Sequence, residues 1–346
     1  MTHELATRLL LVDTQHDAIA ESELSCLPGL FDERDLLVIN DAATLPASLT
    51  ALTADGEPLE VRLLEGPYQE LTRAVLFGRG DYHTPTEQRA APPVLARGAV
   101  ITVGTGQLQV ESVSALSPRL VTLRWPNDVA SRFALLYRAG RPIQYSYIDA
   151  PLALWDVQTS FAARPWAVEM PSAARPLRGS VLLALRRRGV ALASLTHAAG
   201  LSATGDAALD AALPLPERYE IPSETASAIE RTRERGGRVV AVGTSVVRAL
   251  EDSIRRTGKV APGEQTAELV LDEHTRPQVT AGLLTGIHVP GESHYRLLSA
   301  FTKPVTLARA AAVAERGRYR THEFGDAALF LPELVGVRAK RARHAA

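Results

Sequence analysis

The strongest constraint in this chain is a change of periodicity near residue 127. Between residues 60 and 125 the sequence runs as short, mostly alternating segments, VRLLEG, LTRAVLFG, AVITVG, QLQVESVSAL and RLVTLRW, broken by glycine, proline and charged residues. A period of two sends alternate side chains to opposite faces of a strand. Short strands without intervening helices point to a small antiparallel barrel or sandwich. Residues 79–93 read as a long loop between two of them, and Gly104-Thr105-Gly106 as a hairpin turn.

After Asn127 the pattern switches to helix alternating with strand. Residues 177–188 have helical spacing and stop at Gly189, followed by the strand-like VALASL. Ser223 is placed to cap a helix that ends at Gly236-Gly237. Residues 238–242 form a buried-type strand, after which Thr244 or Ser245 can cap a helix reaching about Arg256. Upstream, Leu36-Leu37-Val38-Ile39 is a short apolar run that ends in the polar turn Asn40-Asp41. The expected fold class is α/β, with a layered, partly parallel main domain from residues 1–50 and 128–346. The β-rich segment, residues 51–127, becomes a barrel inserted into it.

With 46% hydrophobic and 22% charged residues among 346, the chain can bury a sizeable core. No stretch nears the roughly 20 apolar residues that span a bilayer, so no membrane partner is expected. Cys26 is the only cysteine and cannot form an internal disulfide, which suits a reducing compartment; the expected location is the cytoplasm. A net charge of −1 gives no global pull toward nucleic acid, so such a partner needs a local basic patch. Lys259, Lys303 and Lys340 are the only lysines. Arginine forks suit phosphates and carboxylates, although a GC-rich genome produces the same bias. The tail around Arg338, Lys340, Arg341 and Arg343 reads as a solvated end. No oligomeric state follows from any of this.

Four constellations carry chemistry. In RVVAVGTSVVRALE, residues 238–251, a strand ends at Gly243 and Thr244-Ser245 sits where a helix exposes unsatisfied N–H groups, an end that attracts anions. Thr244, Arg248 and Glu251 share one helical face by spacing, as they also would in an ordinary capped helix with a surface ion pair. In residues 279–301, His288 is flanked by apolar residues and followed by Pro290-Gly291, which places it on an irregular turn after a strand. It can serve as general acid or base near neutral pH, or as a hydrogen-bonded structural histidine. Glu292, Ser293 and His294 follow without metal-ligand spacing, and no metal site is expected. Asp326, in the turn Gly325-Asp326-Ala327, can anchor a hydroxyl or amine, or cap a helix. Asn40 and Asp41 end the first strong strand, a usual place for ligand-binding side chains. There is no P-loop, no G-x-S-x-G elbow and no strand-to-helix G-x-G-x-x-G, which disfavours dinucleotide enzymes and Rossmann-type methyltransferases.

In order along the chain, DLLVINDAATLPASL (35–49), GRPIQYSYI (140–148), VQTSFA (157–162), RYEIPSETASAI (218–229), RVVAVGTSVVRALE (238–251), GLLTGIHVP (282–290) and YRTHEFGDAAL (319–329) form a connected set. Together they resemble the S-adenosylmethionine:tRNA ribosyltransferase-isomerase family of queuosine biosynthesis. The resemblance covers most of the chain and implies an α/β domain carrying an inserted β-barrel. Several polar motifs depart from the family pattern. Its N-D-T-R reads Asn40-Asp41-Ala42-Ala43, and its A-P-T-A-G-L-H-F loses the histidine over residues 170–177. The glycine-rich strand keeps little of its pattern over residues 194–201. Paired histidines give way to residues 213–216, while Glu217, Tyr219 and Glu220 remain.

The resemblance implies an enzyme that transfers and isomerises the ribosyl part of S-adenosylmethionine onto the aminomethyl group of a 7-deazaguanine in tRNA. Adenine and methionine leave, so S-adenosylmethionine is a consumed substrate and no separate cofactor is implied. Carried onto matching positions, His288 is the expected general base or acid, with Glu217 and Asp326 as further catalytic candidates. Asn40, Asp41, Tyr219, Thr244, Arg248, Glu251, Pro290 and Gly325 are the expected substrate contacts. The altered segments and the absence of net positive charge keep two other functions open. One is the same kind of transfer to a small-molecule acceptor, and the other a non-catalytic S-adenosylmethionine-binding paralogue. His197 and His294 are available to replace lost groups.

Overall fold

The computed structural model describes residues 7–126 and 128–334, so the basic tail at 338–343 lies outside the described residues. Its frame is a nine-stranded sheet in the order Gly263–Ala267, Glu217–Ile221, Ala191–His197, Leu36–Asn40, Val239–Val242, Gly282–Gly286, Ala327–Leu331, Arg8–Asp13 and Ala18–Glu23. The four middle strands, Ala191–His197 through Gly282–Gly286, run parallel, whereas both outer ends carry antiparallel pairs. Every residue of Leu36–Asn40 is buried, as a strand covered on both faces requires. Leu36 and Val38 join one apolar core with Val246 and Leu250, while Leu37 and Ile39 join another with Leu177 and Leu185. Alternate side chains of one strand therefore serve two helical layers, the α/β arrangement expected from the sequence.

The second body is a closed antiparallel barrel of six strands. Ser48–Thr53, Pro58–Leu63, Leu71–Phe77, Leu120–Arg124, Gly106–Val113 and Val100–Val103 follow one another around it, and Val100–Val103 returns to pair with Ser48–Thr53. Its interior holds Leu49, Val61, Leu76, Ile101, Val110 and Leu123, all inward partners of the alternating pattern. Val103 and Gly106 pair across Gly104-Thr105, the expected hairpin. The helix Val129–Ala139 contributes Leu136 to the same core, and Gly140–Arg141 pairs with Ser48 and Leu49. No described helix is long and apolar enough to cross a membrane.

Two helix starts differ from the sequence expectation. Pro222, not Ser223, is the N-cap of Ser223–Glu234, because its φ of −60° and ψ of 149° already set the extended entry; the Ser223 hydroxyl turns to Glu224. Gly243, not Thr244 or Ser245, caps Thr244–Thr257, at φ +98°, a conformation that side-chain-bearing residues rarely adopt. That turn leaves the Thr244 and Ser245 side chains free of capping.

Candidate active site

The carboxyl ends of the parallel strands open onto one cleft of about 460 Å³. From Val239–Val242 come Gly243, Thr244 and Ser245; from Gly282–Gly286 come Thr285, Gly286 and His288; beyond Ala191–His197 lie Ala199, Gly200 and Ser202. Arg248, one turn into its helix, forms the floor and is only 3% exposed. Its guanidinium pairs with Glu217 and donates to the carbonyls of Leu215, Ala267 and Leu269 at 3.1–3.3 Å. Glu217 also accepts the Gly200 N–H at 2.6 Å, and a Cβ on Gly200 would sit 2.7 Å from that carboxylate. Burial pushes the Glu217 carboxyl up from its ordinary value, only partly opposed by the Arg248 charge.

His288 lies in this cleft with 17% of its side chain exposed. Thr285 Oγ1 holds its Nε2 at 2.8 Å, and Glu292 stands 4.0 Å from its Nδ1. The ring of His294 tilts against it with centroids 5.0 Å apart. Burial, reinforced by His294 and His322, pushes the His288 pKa well below 6.5. Burial and the Arg248 charge bring His294 down to about 4. Both rings are therefore neutral near pH 7, each with one unprotonated nitrogen.

The other expected site residues lie around this cleft rather than on its lining. Asn40 is fully buried one layer behind, donating to the His197 carbonyl at 3.0 Å and to Ser245 Oγ at 3.4 Å. Asp41 accepts from Ser194 and Thr196. The Tyr219 hydroxyl bonds Asp252 and Gln265 behind the helix Thr244–Thr257. Glu251 accepts four hydrogen bonds, from the N–H groups of Gln278, Val279 and Thr280 and from the Thr280 hydroxyl. Pro290 is exposed on the following turn. Gly325 and Asp326 border a small adjoining hollow, where Asp326 accepts from the backbones of Arg8 and Arg320 and from the Arg320 guanidinium. Of the expected set, the cleft brings together Thr244, Arg248, Glu217 and His288. Among the described residues no group of three or more His, Cys, Asp or Glu side chains could hold a metal ion.

The family model described as "Queuosine biosynthesis protein" matches residues 1–330. The chain belongs to this family. Among its members, the S-adenosylmethionine:tRNA ribosyltransferase-isomerase of Acidiphilium cryptum is 32% identical over 336 residues, covering 94% of this chain and 92% of that one. The enzyme of the same name from Gloeobacter violaceus is 33% identical, covering 94% and 89%. The crystal structure of S-adenosylmethionine tRNA ribosyltransferase from Thermotoga maritima shares the fold, with a TM-score of 0.51 and 20% identity over 96% of this chain and 94% of that one.

Within this queuosine-family chain, the cleft also holds groups that the sequence reading did not single out. Glu169 accepts from the Tyr145 hydroxyl and from the Ser202 N–H at 3.1 Å. Glu323 accepts from the Tyr147 hydroxyl, and His322 stacks on that tyrosine. Tyr145, Tyr147, His322 and Glu323 fall inside segments that carried the family resemblance, and Glu169 directly precedes one that departs from it. That placement was the only available signal, since no local spacing links them.

Proposed function

We propose that this chain transfers and isomerises the ribosyl moiety of S-adenosylmethionine onto a 7-aminomethyl-7-deazaguanine base in tRNA, releasing adenine and methionine. The observation that carries the reading is the convergence of Thr244, Glu217, Arg248 and His288 in one cleft, on a chain of the queuosine family. They come from three distant segments, with Thr244 and Arg248 on one helix, and meet where an α/β sheet presents ligand-binding groups.

The chemistry follows from the substrate. A sulfonium acidifies the C5′ hydrogens of its ribose and makes methionine a good leaving group, so a base near C5′ starts the reaction. A protonated histidine would repel the sulfonium. Burial keeps His288 neutral, and Thr285 fixes its ring, so it can take that proton. The free N–H groups at the start of Thr244–Thr257 suit a carboxylate such as the methionine tail. Asn40, Asp41, Tyr219, Glu251 and Asp326 act as positioning residues, since their hydrogen bonds tie together the strands and loops that shape the cleft. S-adenosylmethionine is consumed, and no separate cofactor enters this scheme. We place the reaction in the cytoplasm.

The test is release of adenine and methionine, followed by mass spectrometry, on tRNA carrying the aminomethyl base. His288→Ala is expected to lower kcat by at least about 100-fold while S-adenosylmethionine still binds. Turnover left intact in that variant would remove His288 from the mechanism. Release without tRNA, triggered by a small amine, would instead favour a small-molecule acceptor.

A further inference from the structure

Part of the cleft is lined by a ladder of three rings. Tyr145 and Tyr147 stand 6.0 Å apart between centroids and 18° from parallel, and His322 stacks on Tyr147 at 4.1 Å and 11°. His322 holds this position at φ +65°, a backbone conformation uncommon outside glycine, and such outliers concentrate where a side chain has a task. Each tyrosine hydroxyl donates to a carboxylate, Tyr145 to Glu169 and Tyr147 to Glu323. A phenol is neutral, so it orients a carboxylate without cancelling its charge.

We propose that this ladder and its carboxylates form the acceptor subsite, which takes a planar heteroaromatic base bearing an aminomethyl group, with Glu323 receiving the ammonium. The proposal rests on the tRNA-modifying reading above and assigns a place within it. Aromatic faces are where proteins stack bases presented by RNA, and a carboxylate beside the stack selects an ammonium over a neutral substituent. Tyr147 is 43% exposed, whereas Arg248 on the cleft floor is 3% exposed. A base still attached to RNA can reach the outer position, and a free small molecule can occupy the inner one.

The subsite also supplies a proton step. The acceptor nitrogen can attack carbon only after its ammonium loses one proton. That proton passes from nitrogen to a Glu323 carboxylate oxygen, leaving a neutral amine and a carboxylic acid. Burial lifts Glu323 to about 7, which suits a group that accepts and returns a proton near neutrality.

The experiment measures calorimetric binding of free 7-aminomethyl-7-deazaguanine and its 7-cyano counterpart, which lacks the ammonium. S-adenosylmethionine and S-adenosylhomocysteine serve as a second pair differing in the sulfonium charge. The full chain is expected to prefer the amine over the nitrile by about tenfold. Glu323→Gln, close in shape, is expected to erase that preference and to lower turnover by about 100-fold, with S-adenosylmethionine affinity unchanged. An amine preference that survives in Glu323→Gln, or its absence from the wild type, would overturn the assignment. So would a variant that instead loses discrimination between the two S-adenosyl compounds, because Glu323 would then face the sulfonium. A wild type that shows the preference, and a variant that loses it, without turnover on modified tRNA, would uphold the subsite and sink only the tRNA reading.

Discussion

Glu60 in the barrel and Glu217 in the cleft are both buried carboxylates beside arginine, yet their surroundings push them in opposite directions. Glu60 receives Arg62 Nε at 2.7 Å and Ser48 Oγ at 2.8 Å on one oxygen, and Arg89 Nη1 at 2.6 Å on the other. Desolvation alone would raise its carboxyl, but the charges and hydrogen bonds of two guanidiniums outweigh it and hold the pKa below its usual value. Glu217 has one guanidinium, which it shares with three carbonyl oxygens; besides it there are the Gly200 N–H at 2.6 Å and the neutral ring of His197 at 3.6 Å. There desolvation wins, and the carboxyl is raised. The number of cations committed to each carboxylate decides the sign. The barrel carboxylate is shared by two guanidiniums, although Arg62 Nη1 and Arg89 Nε find no hydrogen-bond partner among the described residues, and the cleft carboxylate answers to one.

The largest effect expected from this difference is on stability. Glu60→Ala takes the shared carboxylate from two buried guanidiniums at once, leaving Arg62 only the Gln144 carbonyl and Arg89 those of Gly78, Gly80 and Asp81, and is expected to cost about 3–5 kcal/mol in denaturant unfolding. Glu217→Ala leaves Arg248 its three carbonyl acceptors and is expected to cost less, about 1–3 kcal/mol. Equal losses would show that the cleft arginine depends on Glu217 as completely as the barrel arginines depend on Glu60.

A second, smaller effect is a difference in pH slope. Glu60 has a lowered folded-state pKa, so its stabilisation is present above the ordinary value of 4.5 and is lost as pH falls through the lowered one. Glu217 has a raised one, so its contribution is present below 4.5 and is lost as pH rises through the raised value. Unfolding followed from pH 3 to 8 should therefore show the wild-type advantage over Glu60→Gln growing with pH. Its advantage over Glu217→Gln should shrink across the same range. Parallel slopes would mean that both carboxylates are held by their arginines alike.

The two regions also differed in how far they could be read from sequence. The barrel was legible where its strands keep period two, as in Ser48–Thr53, whose Leu49 and Ala51 point inward while Thr50 and Leu52 are exposed; Pro58–Leu63 and Leu71–Phe77 are buried almost without a break and carry less of that signal. The cleft was legible only in part. Thr244, Arg248 and Glu251 were placed on one face by helical spacing, a rule that holds for a half-exposed helix. Thr244–Thr257 is buried without a break from Val246 to Ile254, so several of its faces find partners. Arg248 goes to Glu217 and the cleft, and Glu251 goes to the backbone of residues 278–280. Glu169, Tyr147 and Glu323 meet only through tertiary packing, about which local periodicity carries no information.

His197 gives the comparison its finest test. It is fully buried, and neither ring nitrogen has a hydrogen-bond partner among the described residues; at 3.6 Å the Glu217 oxygen is too far for a normal bond. Burial, and after it the Arg248 charge, depresses its pKa well below 6.5, so it contributes no positive charge to Glu217 near pH 7. Its ring lies nearly parallel to that of Tyr219, 7° apart with centroids at 6.3 Å, so an apolar ring can fill the same space. His197→Phe removes two unpaired polar atoms and is expected to change stability by less than about 1 kcal/mol, because the wild type already bears their desolvation cost. A loss of several kcal/mol would mean that His197 is charged and paired with Glu217. The cleft would then hold two cations on its carboxylate, and the contrast with the barrel would disappear.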